Sequence, residues 1–213
     1  MVTNNLENEL STKDIFKDIW WQPRKVFKYI LAAKVDEYVT LLLILVGIVR
    51  GFDRAISKSL GDNLSLGAVI GFSVLGGAIS GWIGYYIYAY VLSYTGKLLG
   101  GSASKQEILR VLAYAGIPNI ITLAVIVLQI AVFDIALFKS EEFLEDFGLV
   151  GVVFYTGLSF VEIVFSVWTL VLIVVGISEV QKMTIAKAIL NVLLPILIFG
   201  LVLFMIGFSF SSI

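Results

Sequence analysis

The sequence predicts an all-α integral membrane protein: five transmembrane helices preceded by a basic amphipathic interfacial helix. Three observations predict it. Of 213 residues, 59% are hydrophobic and 15% charged, against about 45–50% and about 25% in soluble domains. The mean hydropathy is +0.99, and the apolar residues form runs long enough to cross a bilayer, which needs about 20 residues. The basic residues also fall unevenly on the two sides of those runs, as they do in membrane proteins.

Composition excludes several function classes. The net charge of -1 predicts no nucleic-acid partner. With no cysteine, there is no disulfide, thiolate metal site or thiol nucleophile. With no histidine, the commonest general base and metal ligand is missing. No cofactor and no metal site are expected. The N-terminus, MVTNNLENELSTKDIF, has no short apolar core after a basic start, so it does not read as a signal peptide.

Residues 1–35 read as a cytosolic N-terminal segment and residues 36–213 as the transmembrane domain. The first 12 residues are polar. Ser11 to Asp14 is a helix start, since a hydroxyl there accepts orphan backbone N–H groups. Pro23 suits a first helical position. After it, Phe27, Ile30, Leu31 and Val35 fall on one helical face and Arg24, Lys25 and Lys28 on another, with Trp20 and Trp21 alongside. A basic, Trp-bearing amphipathic helix before a span fits the headgroup layer. It is either a plain membrane anchor or a docking site for a partner or an anionic lipid.

The five spans are expected at about residues 36–57, 64–95, 108–137, 148–178 and 188–210. The first carries Arg50, Asp53 and Arg54 toward its far end, on one face. The second has no charge and is long, so it should tilt or bend, with Gly76–Gly77 a plausible bend. Ser73, Gly77 and Gly81 repeat every four residues, as do Gly67 and Gly71. Such spacing lets two helix backbones approach closely, within the bundle or in a homodimer. Trp82, Tyr85, Tyr86, Tyr88, Tyr90 and Tyr94 crowd the later half, and part of that set reads as an interfacial aromatic belt.

Between the second and third spans, Gly100–Gly101 can supply a positive φ. Ser102 or Ser104 can cap the next helix, with Glu107 in its first turn. The turn lacks the ending of a phosphate loop. Pro118 should kink the third span, Asp134 falls near its far end, and an acidic loop follows at residues 139–146. In the fourth span Tyr155, Ser159, Glu162, Ser166 and Thr169 share one face. The fifth is uncharged, with Pro195 inside it and Asn191 near its entry.

Placing the N-terminus in the cytoplasm puts 11 basic residues inside and 4 outside. The positive-inside rule favours that arrangement, N-in and C-out.

Three segments together resemble the YIP (Ypt-interacting protein) domain family: WWQPRKVFKYI, GKLLGGSASKQEILRVLAYAGIPNI and LVLIVVGISEVQKMTIAKAILNVLLPILI. The matching positions are Pro23, Arg24 and Phe27; Gly100, Gly101, Tyr114, Ala115 and Pro118; and Lys187, Ala188 and Pro195. The resemblance covers about residues 15–210. It implies a five-helix membrane domain with a cytosolic N-terminus. Eukaryotic members of the family bind Rab-type GTPases in vesicle traffic. This chain lacks their long N-terminal region and Asp-Leu-Tyr-Gly-Pro motif, and it is similar to the compact prokaryotic members, which implies a prokaryotic cytoplasmic membrane.

The function this supports is a non-enzymatic scaffold or adaptor, in contact with membrane lipids and with a protein partner on the cytosolic side. A homo-oligomer is open to it. The alternative is transport of a small solute, ion or lipid along the polar stripe around Glu162, because an ionisable residue in mid-membrane is a functional candidate by default. Arg50, Asp53, Arg54 and Asp134 belong to that candidate site, and Glu162 should face inward and pair with Arg50, directly or through water. A structural pair or a protonated carboxyl is the plainer account. Catalysis is not expected, since without histidine only Ser159, one turn from Glu162, remains.

Overall fold

In the computed structural model, residues 10–140 and 147–211 are described, with side chains described as far as residue 198. The polar segment 1–9 and most of the acidic loop, residues 141–146, lie outside the described residues. Among the described residues there are helices and turns and no strand.

The chain enters through two short helices. α1 (Thr12–Asp18) opens on a capping box: Ser11 accepts from the Asp14 backbone, and the Asp14 carboxylate accepts from the Ser11 N–H. α2 (Pro23–Ala32) begins on Pro23, whose missing N–H costs nothing there. It turns Val26, Phe27 and Ile30 into the protein. α3 (Val39–Ser57) follows. After a 3₁₀ turn at Leu60–Asp62, α4 (Leu66–Gly71), a π turn (Phe72–Gly76) and α5 (Gly77–Leu98) run on as one rod of 33 residues.

α6 (Lys105–Ala115) and α7 (Ile117–Phe133) replace the single kinked third span. The chain ends α6 at Gly116 and restarts with Pro118 in the first turn of α7, so the proline opens a helix instead of bending one. A 3₁₀ turn (Asp134–Phe138) extends α7. α8 (Gly148–Val180) and α9 (Ile185–Ser211) complete the bundle.

Three rods among the described residues are long and apolar enough to cross a membrane: Leu66–Leu98, Ile117–Phe138 and Gly148–Val180. Their outward surfaces are apolar, with Leu75, Ile79, Val127, Leu149, Val150 and Ile163 all more than half exposed. Such a surface is satisfied by lipid. The aromatic residues of α5 divide into an exposed and an inward set. Trp82, Tyr86, Tyr90 and Tyr94 are exposed in a stripe along the helix, while Tyr85 is buried and Tyr88 donates to the Val192 carbonyl at 3.3 Å.

Two apolar cores lie at opposite ends. At the entry end, Phe27, Ile30, Leu43, Tyr114 and Leu172 are fully buried together. At the far end, Phe52, Ile126, Phe133 and Phe138 pack under the 3₁₀ turns. Between them α3 crosses α5 on glycine: Gly47 lies against Gly77 and Gly81, and Gly51 against Ser73 and Gly77. The two backbones touch there, which only small residues allow.

Candidate functional site

The turn between α5 and α6 is built around one side chain from elsewhere. Gly100 adopts φ +89°, a region that glycine enters without penalty. Ser104 and Glu107 cap α6 reciprocally, at 2.8 and 3.3 Å. Gln181, just past α8, is inserted between Gly96 and Gly101, where a Cβ on either glycine would collide with it. Its Nε2 donates to the Leu92 carbonyl at 3.2 Å, and its Oε1 accepts from the Ala103 N–H at 3.0 Å. Asn191 on α9, fully buried, donates to Leu92 and to the Thr95 hydroxyl, at 3.2 and 2.7 Å. Lys187 reaches the Leu99 carbonyl at 3.1 Å. Four elements are thus tied to one turn; the Gln181 and Asn191 bonds are buried and costly to leave unmade, while those of Ser104, Glu107 and Lys187 are exposed.

Beside this hub Arg110 forks onto Asp36 at 2.7 and 2.8 Å. The guanidinium side chain is 9% exposed and the carboxylate 67%. Hydrogen bonding to Arg110 holds the Asp36 carboxyl below its ordinary value, against a smaller opposing effect of burial. A lowered carboxyl contributes stability that is complete above its unfolded pKa and lost as pH falls through its folded one. Wild type is therefore expected to lose stability in strong acid and not around neutrality. In Asp36→Asn that acid-dependent step shrinks, measured by thermal unfolding in detergent across an acid series.

The basic entry residues stand at the same end. Trp21 is 85% exposed. Arg24, Lys25 and Lys28 all point outward. Lys25 reaches Asp18 at 3.4 Å and Lys28 reaches Glu179 at 3.8 Å. Trp20 is edge-on to Phe165 of α8 at 6.0 Å. Phe27 anchors the helix beneath them, its ring against Gly176.

Along the length of the bundle the remaining polar residues divide into two groups. Glu162 lies at the α7–α8 seam beside Gln129, with Asp53 of α3 in its field. Gln129 is 1% exposed. Its Oε1 and the Glu162 Oε1 are both buried without a hydrogen-bond partner among the described residues. Farther along the seam, Ser166 meets Asn119 at 3.4 Å. Arg50 joins the other group: its guanidinium lies over the Tyr85 ring at 4.6 Å, a cation–π contact. Arg54 reaches Ser80 at 3.5 Å. Among the described residues Arg50 and Glu162 make no direct ion pair: Arg50 turns from α3 toward α5, and Glu162 lies beside Gln129 of α7. Asp134 is exposed at the far end, at φ +50°.

The Yip1 domain model matches residues 17–207. The chain belongs to the Yip1 domain family. No curated protein matches it, and no solved structure matches it. The Yip1 domain here runs from α1 into α9, so its match includes the hub, the entry residues and the seam. With its apolar rods it is a multi-pass membrane protein.

Of these features, the sequence singled out Trp20, Trp21, Arg24, Lys25, Lys28, Glu162 and the charges of α3. It missed the Asp36–Arg110 fork and the roles of Gln181, Asn191 and Gln129. Two signals marked them: a lone amide in an otherwise apolar span, and glycines spaced around a turn that some side chain must fill.

Proposed function

We propose that this Yip1-domain protein is a non-enzymatic membrane scaffold that presents its entry face to a protein partner. The observation that carries the reading is a rigidly mounted, exposed cationic and aromatic surface. Arg24, Lys25 and Lys28 project from α2, which Phe27 and Ile30 hold in the core, and Trp21 from the turn before it. A surface fixed this way loses little entropy on binding, and aromatic and arginine side chains are the usual anchors of interfaces.

The rest of the topology belongs to the same proposal. Five spans arise if α3 and the α9 rod cross the membrane beside the three long rods. The excess of 11 basic residues over 4 supports placing the entry end in the cytoplasm, in a prokaryotic cytoplasmic membrane.

One observation favours a second reading, transport. The Gln129 amide hydrogen-bonds the Glu162 carboxyl, yet the Oε1 of each is buried without a partner among the described residues. A proton or a small polar solute between them would satisfy both.

One experiment separates the readings. Wild type, Glu162→Gln and the charge reversal Arg24→Glu/Lys25→Glu/Lys28→Glu are crosslinked in native membranes and then captured. The scaffold reading expects a specific partner, kept by Glu162→Gln and lost by the charge reversal. It fails if the charge reversal captures the same proteins as wild type. Absence of a partner, with a bound solute lost in Glu162→Gln, gives the seam to transport.

A further inference from the structure

We infer that one face of α8, flanked by the start of α2, holds a single anionic glycerophospholipid. Two grooves carry the inference. The lower is about 460 Å³ and is lined almost wholly by apolar groups, among them Trp20, Trp21, Val164, Phe165 and Trp168. The upper is about 490 Å³ and about half polar, bounded by Arg24, Ser178, Glu179, Lys182 and Thr184 and by the apolar Met183 and Ile185.

The two grooves lie on the same side of one helix. At 100° per residue, Trp168 and Ser178 each lie about 40° from Val164. From Trp168 to Ser178 the rise is about 15 Å, about half the thickness of the hydrocarbon core. Lys182 follows just past the helix end, at φ +54°. The face therefore passes from apolar to polar over about the depth that one lipid's chains reach, with a cation at its upper limit.

The charge fits an anion. Arg24 and Lys182 make no ion pair among the described residues. The one carboxylate lining the upper groove, Glu179, is held by Lys28 at 3.8 Å. Two cations without an ion pair among the described residues thus face the groove, with Glu179 near Lys28, Lys182 also in the field of Glu107, and the Ser178 hydroxyl donating to the Met183 carbonyl at 2.7 Å. Arginine forks onto phosphate, and lysine serves it as a point charge. Below them, the tryptophans supply flat apolar walls suited to acyl chains at the level where indoles gather. A protein ligand has no comparable reason to extend down the lipid-facing side of a spanning rod.

This inference does not need the protein partner proposed above, and its test is separate. The full chain, purified in detergent, is titrated with phosphatidylglycerol or phosphatidylcholine carrying brominated chains, with tryptophan quenching as the readout. Native mass spectrometry counts the lipid retained. Wild type is expected to retain one phosphatidylglycerol in preference to phosphatidylcholine. Arg24→Ala/Lys182→Ala should weaken phosphatidylglycerol by about tenfold or more while leaving phosphatidylcholine unchanged. Trp168→Ala should weaken retention and reduce quenching even with both cations present. Both cations are exposed, so an unchanged thermal melt certifies the fold. Equal retention of the two lipids by wild type overturns the inference. So does phosphatidylglycerol bound as tightly by the double variant, or glycerol phosphate without chains competing as well as the lipid.

Discussion

Gly47→Leu is expected to open the middle of the bundle. A side chain at Gly47 would run into the Gly77 carbonyl and the Gly81 α-carbon, which are backbone and cannot rotate away. Overpacking against movable side chains costs about 1–3 kcal/mol. Here the helices themselves must separate, so the expected loss is at or above the top of that range, a large part of a typical stability of about 5–15 kcal/mol. Membrane helices lack a hydrophobic force to pull them together again, because lipid is as apolar as leucine. Gly84→Leu is the control: nothing lies within 4 Å of its added Cβ. Heat unfolding and size-exclusion profiles in detergent read the difference. If Gly47→Leu melts where wild type does, the glycine crossing does not hold α3 to α5.

Gln181→Leu should be the next most damaging single change. Leucine fills a similar volume but neither accepts from Ala103 nor donates to Leu92. The Leu92 carbonyl keeps Asn191 as a donor. The Ala103 N–H, in a residue 2% exposed, has no second acceptor among the described residues. One orphaned buried donor costs about 1–3 kcal/mol. Lys182→Ala, the exposed neighbour, should stay within about 0.5 kcal/mol of wild type. Hydrogen exchange gives a local readout: the Ala103 amide should exchange faster in Gln181→Leu before the rest of the bundle does. Unchanged protection at Ala103 would mean that Gln181 only fills space.

What was legible beforehand was local. The caps at Ser11 and Ser104, and the helix start at Pro23, involve residues three or four apart, so their partners are adjacent in the text as well as in space. The long rods were legible because a bilayer sets their length. Azimuth was not. The α3 charges could be placed near one depth, but which neighbour each would face depends on how α3, α5 and α7 are arranged around it. Arg50 consequently found Tyr85 instead of Glu162. The Arg110–Asp36 fork joins residues 74 apart, and no pattern within α6 indicates that its arginine turns inward. Pro118 announced a discontinuity. The helix breaks at Gly116, which caps α6 and where an added Cβ would collide with Val46.

The π turn at Phe72–Gly76 lies between two sets of small residues, of which one is used and the other is not. Ser73, Gly77 and Gly81 meet α3, whereas Gly67 and Gly71 face open space although their spacing is the same. A π turn carries a surplus residue, which rotates everything before it by roughly 100° relative to everything after. The rod therefore behaves as two helices in different phases joined without a gap. Its later part is committed to the α3 contact. Its earlier part can gain or lose a residue, with the surplus moved or absorbed, and leave that contact in register.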